Sequence, residues 1–311
     1  MSRMKNIGHG LFVERKLNLL FVCLMFLFSV SIYAQPLATP EWKNLLQENY
    51  NITYNVLYSS VDTILCQLDV YQPKDLTAPA PAFIWFHGGG WARGTKDSSH
   101  ANILTFIKMG WIVLNVNYRL APAALAPAAV EDSRCALRWA IRQADGLKID
   151  KNRIVLGGGS AGGHLAMMAG MLPDGSPFDK LCPGSEQLKV AAILNLNGNI
   201  DVKDLLYGPH KTGFATRWIG NKPNCDSIAD LVSPINYVRK GLPPIITVHG
   251  DTDSTVPYEQ AVRLHEALAK VGAEQELLTI HNGGHGKYGK AISDYIEIKI
   301  QAFLKKNKII N

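Results

Sequence analysis

The chain has 311 residues, of which 47% are hydrophobic and 19% charged, with a formal net charge of +6. That is enough apolar material for a sizeable core and too little charge for a disordered chain. No stripe of Lys and Arg interleaved with aromatics occurs, which argues against a nucleic-acid-binding surface.

Arg3, Lys5, Glu14, Arg15 and Lys16 lead into the apolar run 19–30, and Ser31-Ile32-Tyr33-Ala34-Gln35 follows it. A charged segment, a short apolar segment and a small residue are the parts of a secretory signal peptide. The expectation is a leader over residues 1–34, cleaved after Ala34, and a single domain over 35–311 that is secreted or periplasmic. Losing the leader's four basic and one acidic residues lowers the charge to +3, and no stable membrane insertion is expected after cleavage. The rival reading is an uncleaved anchor, since the stretch 17–33 falls slightly short of the roughly 20 residues a spanning helix needs.

Beyond the leader, 64–70 alternates like a half-exposed strand. The runs 83–86, 112–114, 154–156, 192–194 and 245–248 are short and almost wholly apolar, the pattern of strands covered on both faces. Between them Val130, Leu137 and Ile141 recur at helical spacing, as do Ala261, Leu264, Leu268 and Val271. Strands alternating with helices imply parallel pairing through crossovers, hence an α/β sheet. The segments 172–187 and 201–234 carry more Pro, Gly and Asn with little periodicity, and read as excursions over the sheet's functional edge. Of the four cysteines after the leader, Cys66 and Cys135 lie in strand-like and helical patterns and read as buried small hydrophobes. Cys182 and Cys225 lie in the irregular segments and form the candidate disulfide.

The chemistry-bearing residues sit at the ends of the strand runs. Gly158-Gly159-Ser160-Ala161-Gly162 follows one strand and opens a helical pattern, the context of a nucleophile elbow, in which a sharp turn exposes the serine oxygen. Gly157, Gly159 and Gly162 also satisfy a dinucleotide-binding fingerprint. That reading requires an acid about 20 residues on at a strand end, and Asp179 stands in an irregular stretch instead. His87-Gly88-Gly89-Gly90-Trp91 follows the strand 83–86 and leaves backbone amides bare. Amides of this kind stabilise the oxygen of a carbonyl as it becomes negative, and Gly89, Gly90 and Ala161 are the expected donors, with the His87 side chain structural.

A serine nucleophile requires a base and a carboxylate to orient that base. His249-Gly250-Asp251-Thr252-Asp253 and His281-Asn282-Gly283-Gly284-His285-Gly286 follow later strands, in the order serine, acid, histidine. Asp253 is preferred over Asp251 because it stands further beyond its strand, and His285 over His281 because glycines flank it. Asp132, Arg119 and His164 read as structural, and Trp85 and Trp139 as core. Trp91, Tyr207 and Trp218 can either pack or stack on a substrate ring. No zinc-ligand spacing appears.

Together with Asn117-Tyr118-Arg119-Leu120-Ala121-Pro122, Pro127-Ala128-Ala129-Val130-Glu131-Asp132 and Gly163-His164-Leu165-Ala166, these motifs resemble the α/β-hydrolase esterases of the hormone-sensitive-lipase-like type. More narrowly, over about residues 68–304, they resemble bacterial acetyl and feruloyl xylan esterases. The resemblance implies an α/β-hydrolase fold with a mainly parallel eight-stranded sheet flanked by helices. It implies a triad of Ser160, Asp253 and His285, oxyanion donors at Gly89, Gly90 and Ala161, and neither cofactor nor metal. The chain departs from many such relatives at Gly159, where they carry Asp or Glu, and no long cap precedes His87. An open site and short acyl groups are therefore expected. The expected activity is that of a secreted carboxylesterase removing short acyl or feruloyl groups from plant-polysaccharide fragments, acting on small-molecule or oligosaccharide esters. The alternatives are an amide-cleaving hydrolase, peptidase-like or arylformamidase-like, and a catalytically silent binding protein.

Overall fold

The short apolar runs become the strands of a single eight-stranded sheet. The computed structural model describes residues 40–311, so the leader and its cleavage point lie outside the described residues. The strands are β1 (Tyr50–Val61), β2 (Ile64–Pro73), β3 (Ala80–Phe86), β4 (Ile112–Val116), β5 (Ile149–Gly159), β6 (Ala192–Leu196), β7 (Ile245–Gly250) and β8 (Gln275–Ile280). Across the sheet their order is β1-β2-β4-β3-β5-β6-β7-β8. β2 runs antiparallel to β1 and β4, and every other neighbouring pair is parallel. The sheet is thus mixed. Its reversal follows from the tight connection through Asp62, which takes φ +52°, since a two-residue turn joins only antiparallel strands.

Helices cover both faces. The strand residues alternate between them, as the period of two requires. Phe83, Trp85, Val113, Val155 and Leu194 face α2 (His100–Lys108) and α9 (Lys290–Lys306), where Phe106, Ile107, Ile300 and Phe303 complete that layer. Ile84, Phe86, Leu114, Leu156 and Ile193 face α3 (Ala128–Arg142), α5 (Ala161–Met171) and α8 (Tyr258–Lys270). Every residue of α5 is buried, so this helix carries no polar stripe. Each large apolar side chain so buried contributes about 1.5–3 kcal/mol. α1 (Pro40–Asn49) precedes the sheet, and α4 (Ala144–Leu147) precedes β5. Within 201–234, read above as irregular, the chain forms α6 (Gly213–Ile219) and α7 (Cys225–Leu231). At seven residues each, they are too short to print a period.

The cysteine pairing differs from the expectation. Cys182 bonds to Cys135, not to Cys225, with Cα atoms 5.4 Å apart. Cys66 is a buried free thiol and Cys225 lies beside Tyr207 and Asp226. α3 buries the face carrying Cys135 partly against the excursion 172–187, and neighbouring positions on that helix make the same contact. Arg134 donates to both carboxylate oxygens of Asp179 at 2.7 and 2.8 Å, and Arg138 reaches Glu186 at 2.7 Å. Helical spacing marks Cys135 as buried but does not say which segment covers it.

Candidate active site

The turn after β5 is strained. Ser160 has φ +54° and ψ −122°, a conformation a non-glycine residue keeps only when its surroundings impose it. Two close approaches impose it here: a Cβ at Gly158 would stand 2.2 Å from the Gly162 backbone, and one at Gly162 would stand 2.0 Å from the Phe86 carbonyl oxygen. The Ser160 amide donates to Leu196 O at 2.8 Å, so β6 anchors the turn on its other side.

The structure brings Ser160, His285 and Asp253 into one hydrogen-bonded series. The Ser160 hydroxyl lies 2.9 Å from His285 Nε2, and His285 Nδ1 lies 2.7 Å from Asp253 Oδ2. A proton on Nδ1, facing the carboxylate, leaves Nε2 free to accept from the hydroxyl. Asp253 Oδ1 accepts from the amides of Thr255 and Val256 at 2.8 and 3.0 Å. Oδ2 also accepts from Asn197 Nδ2 at 3.1 Å and lies 3.3 Å from His249 Nε2. Burial alone would raise the Asp253 carboxyl, but hydrogen bonds from His249, His285 and the Val256 amide outweigh it and hold the group far below the usual carboxylate range. Asp253 is therefore an anion. In such a series an imidazole can take the hydroxyl proton as the oxygen attacks a carbonyl, with the carboxylate stabilising the imidazolium.

The alternatives within the same loops also pair, but away from the serine. His281 Nδ1 lies 3.0 Å from Asp251 Oδ2, and the His281 side chain is 83% exposed. Asp251 also accepts from the Asn282 amide, while Thr252 donates through its amide and hydroxyl to Gly283 O. These contacts bind the two loops to each other.

The glycine loop runs against the elbow, where a Cβ at Gly88 would come 2.9 Å from Gly159 O. Gly89 and Gly90 both have positive φ, and a Cβ at Gly89 would overlap the Arg93 carbonyl oxygen at 2.0 Å. Ala161 opens α5, whose first amides have no partner within the helix. His87 is buried and holds a structural position, with Nδ1 2.7 Å from Gly88 O and its ring stacked on Tyr118 at 4.3 Å. Arg119 donates through its amide and Nε to Asp132. His164 accepts from Trp91 Nε1 at 3.1 Å and donates to Val232 O at 2.6 Å. Trp91 and Trp218 are fully buried and stacked at 4.1 Å, so both belong to the packing. Tyr207 is 52% exposed and donates to Asp226.

Beside Ser160 and His285 a cavity of about 580 Å³ opens between the sheet and helices α2 and α9. Trp85 lines it as well as packing in the core, and Asn197 and Tyr288 stand on its wall. Asn197 and Tyr288 carry no sequence signal, because each is a single polar residue beyond a strand end with no spacing to mark it, and His249, although it heads the motif that contains Asp253, has nothing in that motif to show that its ring reaches the Asp253 carboxylate. Among the described residues no group of three His, Cys, Asp or Glu side chains is placed to hold a metal ion.

The eight-stranded sheet, the strained serine and the histidine–aspartate pair define an α/β-hydrolase. Residues 68–268 match the BD-FAE family, to which the chain belongs. Esterase LipC of Mycobacterium tuberculosis is 32% identical over 230 residues, covering 70% of this chain and 56% of that protein. The probable carboxylic ester hydrolase LipM of the same organism is 29% identical over 251 residues, covering 76% and 57%. The chain thus spans a little over half the length of these curated relatives. Among solved structures, the Thermogutta terrifontis esterase Est2 with propionate bound superposes with a TM-score of 0.70 at 26% identity, covering 85% of this chain and 96% of that one. Est2 phosphorylated by paraoxon superposes with a TM-score of 0.69.

Proposed function

We propose that the protein is a carboxylesterase in which Ser160, His285 and Asp253 form the catalytic triad. The observation that carries this is the unbroken series from Ser160 Oγ through His285 to Asp253. Ser160 Oγ attacks the ester carbonyl as His285 Nε2 takes its proton. The amides of Gly89, Gly90 and Ala161 receive the negative oxygen. The tetrahedral intermediate collapses when His285 returns the proton to the leaving alcohol, giving an acyl-enzyme. Water, deprotonated by the same imidazole, then attacks the acyl carbon, releasing the acid and restoring the serine hydroxyl.

For the substrate, we favour short acyl or feruloyl groups on plant-polysaccharide fragments, released by an exported enzyme. Three observations support this: the leader-like residues 1–34, the BD-FAE match, and the propionate and butyrate held by Est2 in two of its structures. Paraoxon provides the direct test of the chemistry. It should inactivate hydrolysis of p-nitrophenyl acetate and leave a diethylphosphoryl adduct on the Ser160 peptide in mass spectrometry, and Ser160→Ala should lose both. Hydrolysis that persists in Ser160→Ala rejects the reading. For the substrate, acetylated xylan and methyl ferulate should be turned over while the corresponding anilides are not. For export, the secreted protein should begin at Gln35.

A further inference from the structure

Gly159 lacks both of the usual reasons for a glycine. Its φ is outside the left-handed region, and a Cβ built on it meets nothing nearer than Trp85 Cζ2 at 3.9 Å, an ordinary contact. Its neighbours differ sharply. A Cβ at Gly157 would stand 2.6 Å from the Phe83 ring, and one at Gly158 2.2 Å from Gly162. Backbone conformation and packing would accept a side chain at 159, so what its absence creates is space.

That space adjoins the nucleophile. Residues 157 and 159 point to the same face of the sheet, by the alternation of β5, and that face carries α2 and α9. Gly159 lines the cavity of about 580 Å³ together with Ser160 and His285. Phe83, Trp85, Phe106, Leu196, Ile296 and Ile300 supply its apolar wall. Its volume lies within the roughly 300–1,000 Å³ of small-molecule sites and far exceeds what an acetyl group fills.

We infer that the bare backbone at Gly159 is the gate through which the cavity between α2 and α9 takes the larger apolar arm of the ester, so that the residue at 159 sets the upper size of the substrate. The ligand class is an ester carrying an apolar chain or ring on its acyl or its alcohol half. The inference rests on the carboxylesterase reading and adds a determinant of specificity to it. A leucine at 159 would project along Trp85 into the mouth of the cavity and compete with that arm.

The test compares methyl acetate, methyl hexanoate and hexyl acetate by titration of released acid, in the wild type, Gly159→Ala, Gly159→Leu and Ile300→Trp. For whichever hexyl-sized ester uses the cavity, Gly159→Leu should lower its kcat/KM relative to methyl acetate by about tenfold or more, and Gly159→Ala by less. Ile300→Trp fills the cavity without touching the elbow. It should shift the same ratio in the same direction, and it keeps the test open if the leucine variant fails to fold. Loss with methyl hexanoate assigns the acyl half to the cavity, and loss with hexyl acetate the alcohol half. Ratios unchanged within about twofold for both esters in folded variants overturn the gate while leaving the esterase reading intact. A wild type inactive on all three esters overturns the esterase reading, and the gate with it.

Discussion

Asn197 reaches the carboxylate of Asp253 with its side-chain amide, 3.1 Å from the same Oδ2 that faces His285. Its own oxygen accepts from Tyr288 at 3.3 Å, so one carboxamide ties the acid to the segment carrying the base. The residue follows β6 with φ +51°, a conformation that asparagine tolerates better than most.

Asn197→Gly keeps that backbone and deletes the carboxamide. If Asn197, although it lines the cavity, acts through the acid to which its carboxamide is bonded, kcat should fall, by up to about a hundredfold, while KM barely moves. Steady-state kinetics on p-nitrophenyl acetate check this. A rise in KM with kcat unchanged would mean that Asn197 acts on substrate binding.

Two aspartate–histidine pairs link the same two loops, and only one reaches Ser160. Asp253→Asn and His285→Ala should lower kcat/KM by about a thousandfold or more. Asp251→Asn and His281→Ala remove only the outer pair and should cost no more than about tenfold through loosening of the loops. The reverse ranking in the same assay would reassign the acid or the base.

The bridge from Cys135 to Cys182 closes a loop of 47 residues, which in the chain-entropy model stabilises the fold by about 4 kcal/mol. Cys135→Ala/Cys182→Ala should lower the urea midpoint correspondingly, and Cys225→Ala should leave it near that of the wild type. Peptide mapping without reductant should recover a Cys135–Cys182 pair. A Cys182–Cys225 pair would refute the assignment.

Burial lowers the His164 imidazole from 6.5 to about 4, with the hydrogen bond to Val232 O opposing that shift. The neutral ring accepts from Trp91 and donates to Val232, so a second proton would face the indole N–H. A folded-state value below the unfolded one means that unfolding takes up a proton. Stability is therefore fully present above pH 6.5 and is lost as the pH falls toward 4. Thermal melts should show Tm falling across that window, and His164→Gln, though less stable at neutral pH, should show a shallower fall there. Parallel curves for the two proteins would exclude His164 as the source.

Much of this was legible along the chain because it is written in local pattern. The apolar runs 83–86, 112–114, 154–156, 192–194 and 245–248 all fall within β3 to β7, since a strand covered on both faces needs apolar side chains on both sides of its pleat. The elbow around Ser160 and the three-glycine loop after His87 were equally plain, because tight turns require glycine at fixed offsets. The antiparallel β1 carries no such signal: apart from the buried Tyr50 and Tyr58, its residues are exposed or half-buried at the sheet's margin, where no continuous apolar run is required. Choosing between Asp251 and Asp253, or His281 and His285, could be argued only from distance beyond a strand end. Their pairing is decided by how the loops after β7 and β8 turn against β6, across 125 positions between Ser160 and His285. The same holds for Cys135, whose partner depends on which excursion crosses α3, and for the cavity beside Gly159, which is a space enclosed by residues from distant segments. Local sequence dictates what a segment can be, because backbone sterics and hydrophobic periodicity act over a few residues. Which side chains meet is settled by packing between elements, and packing exists only once the chain has folded.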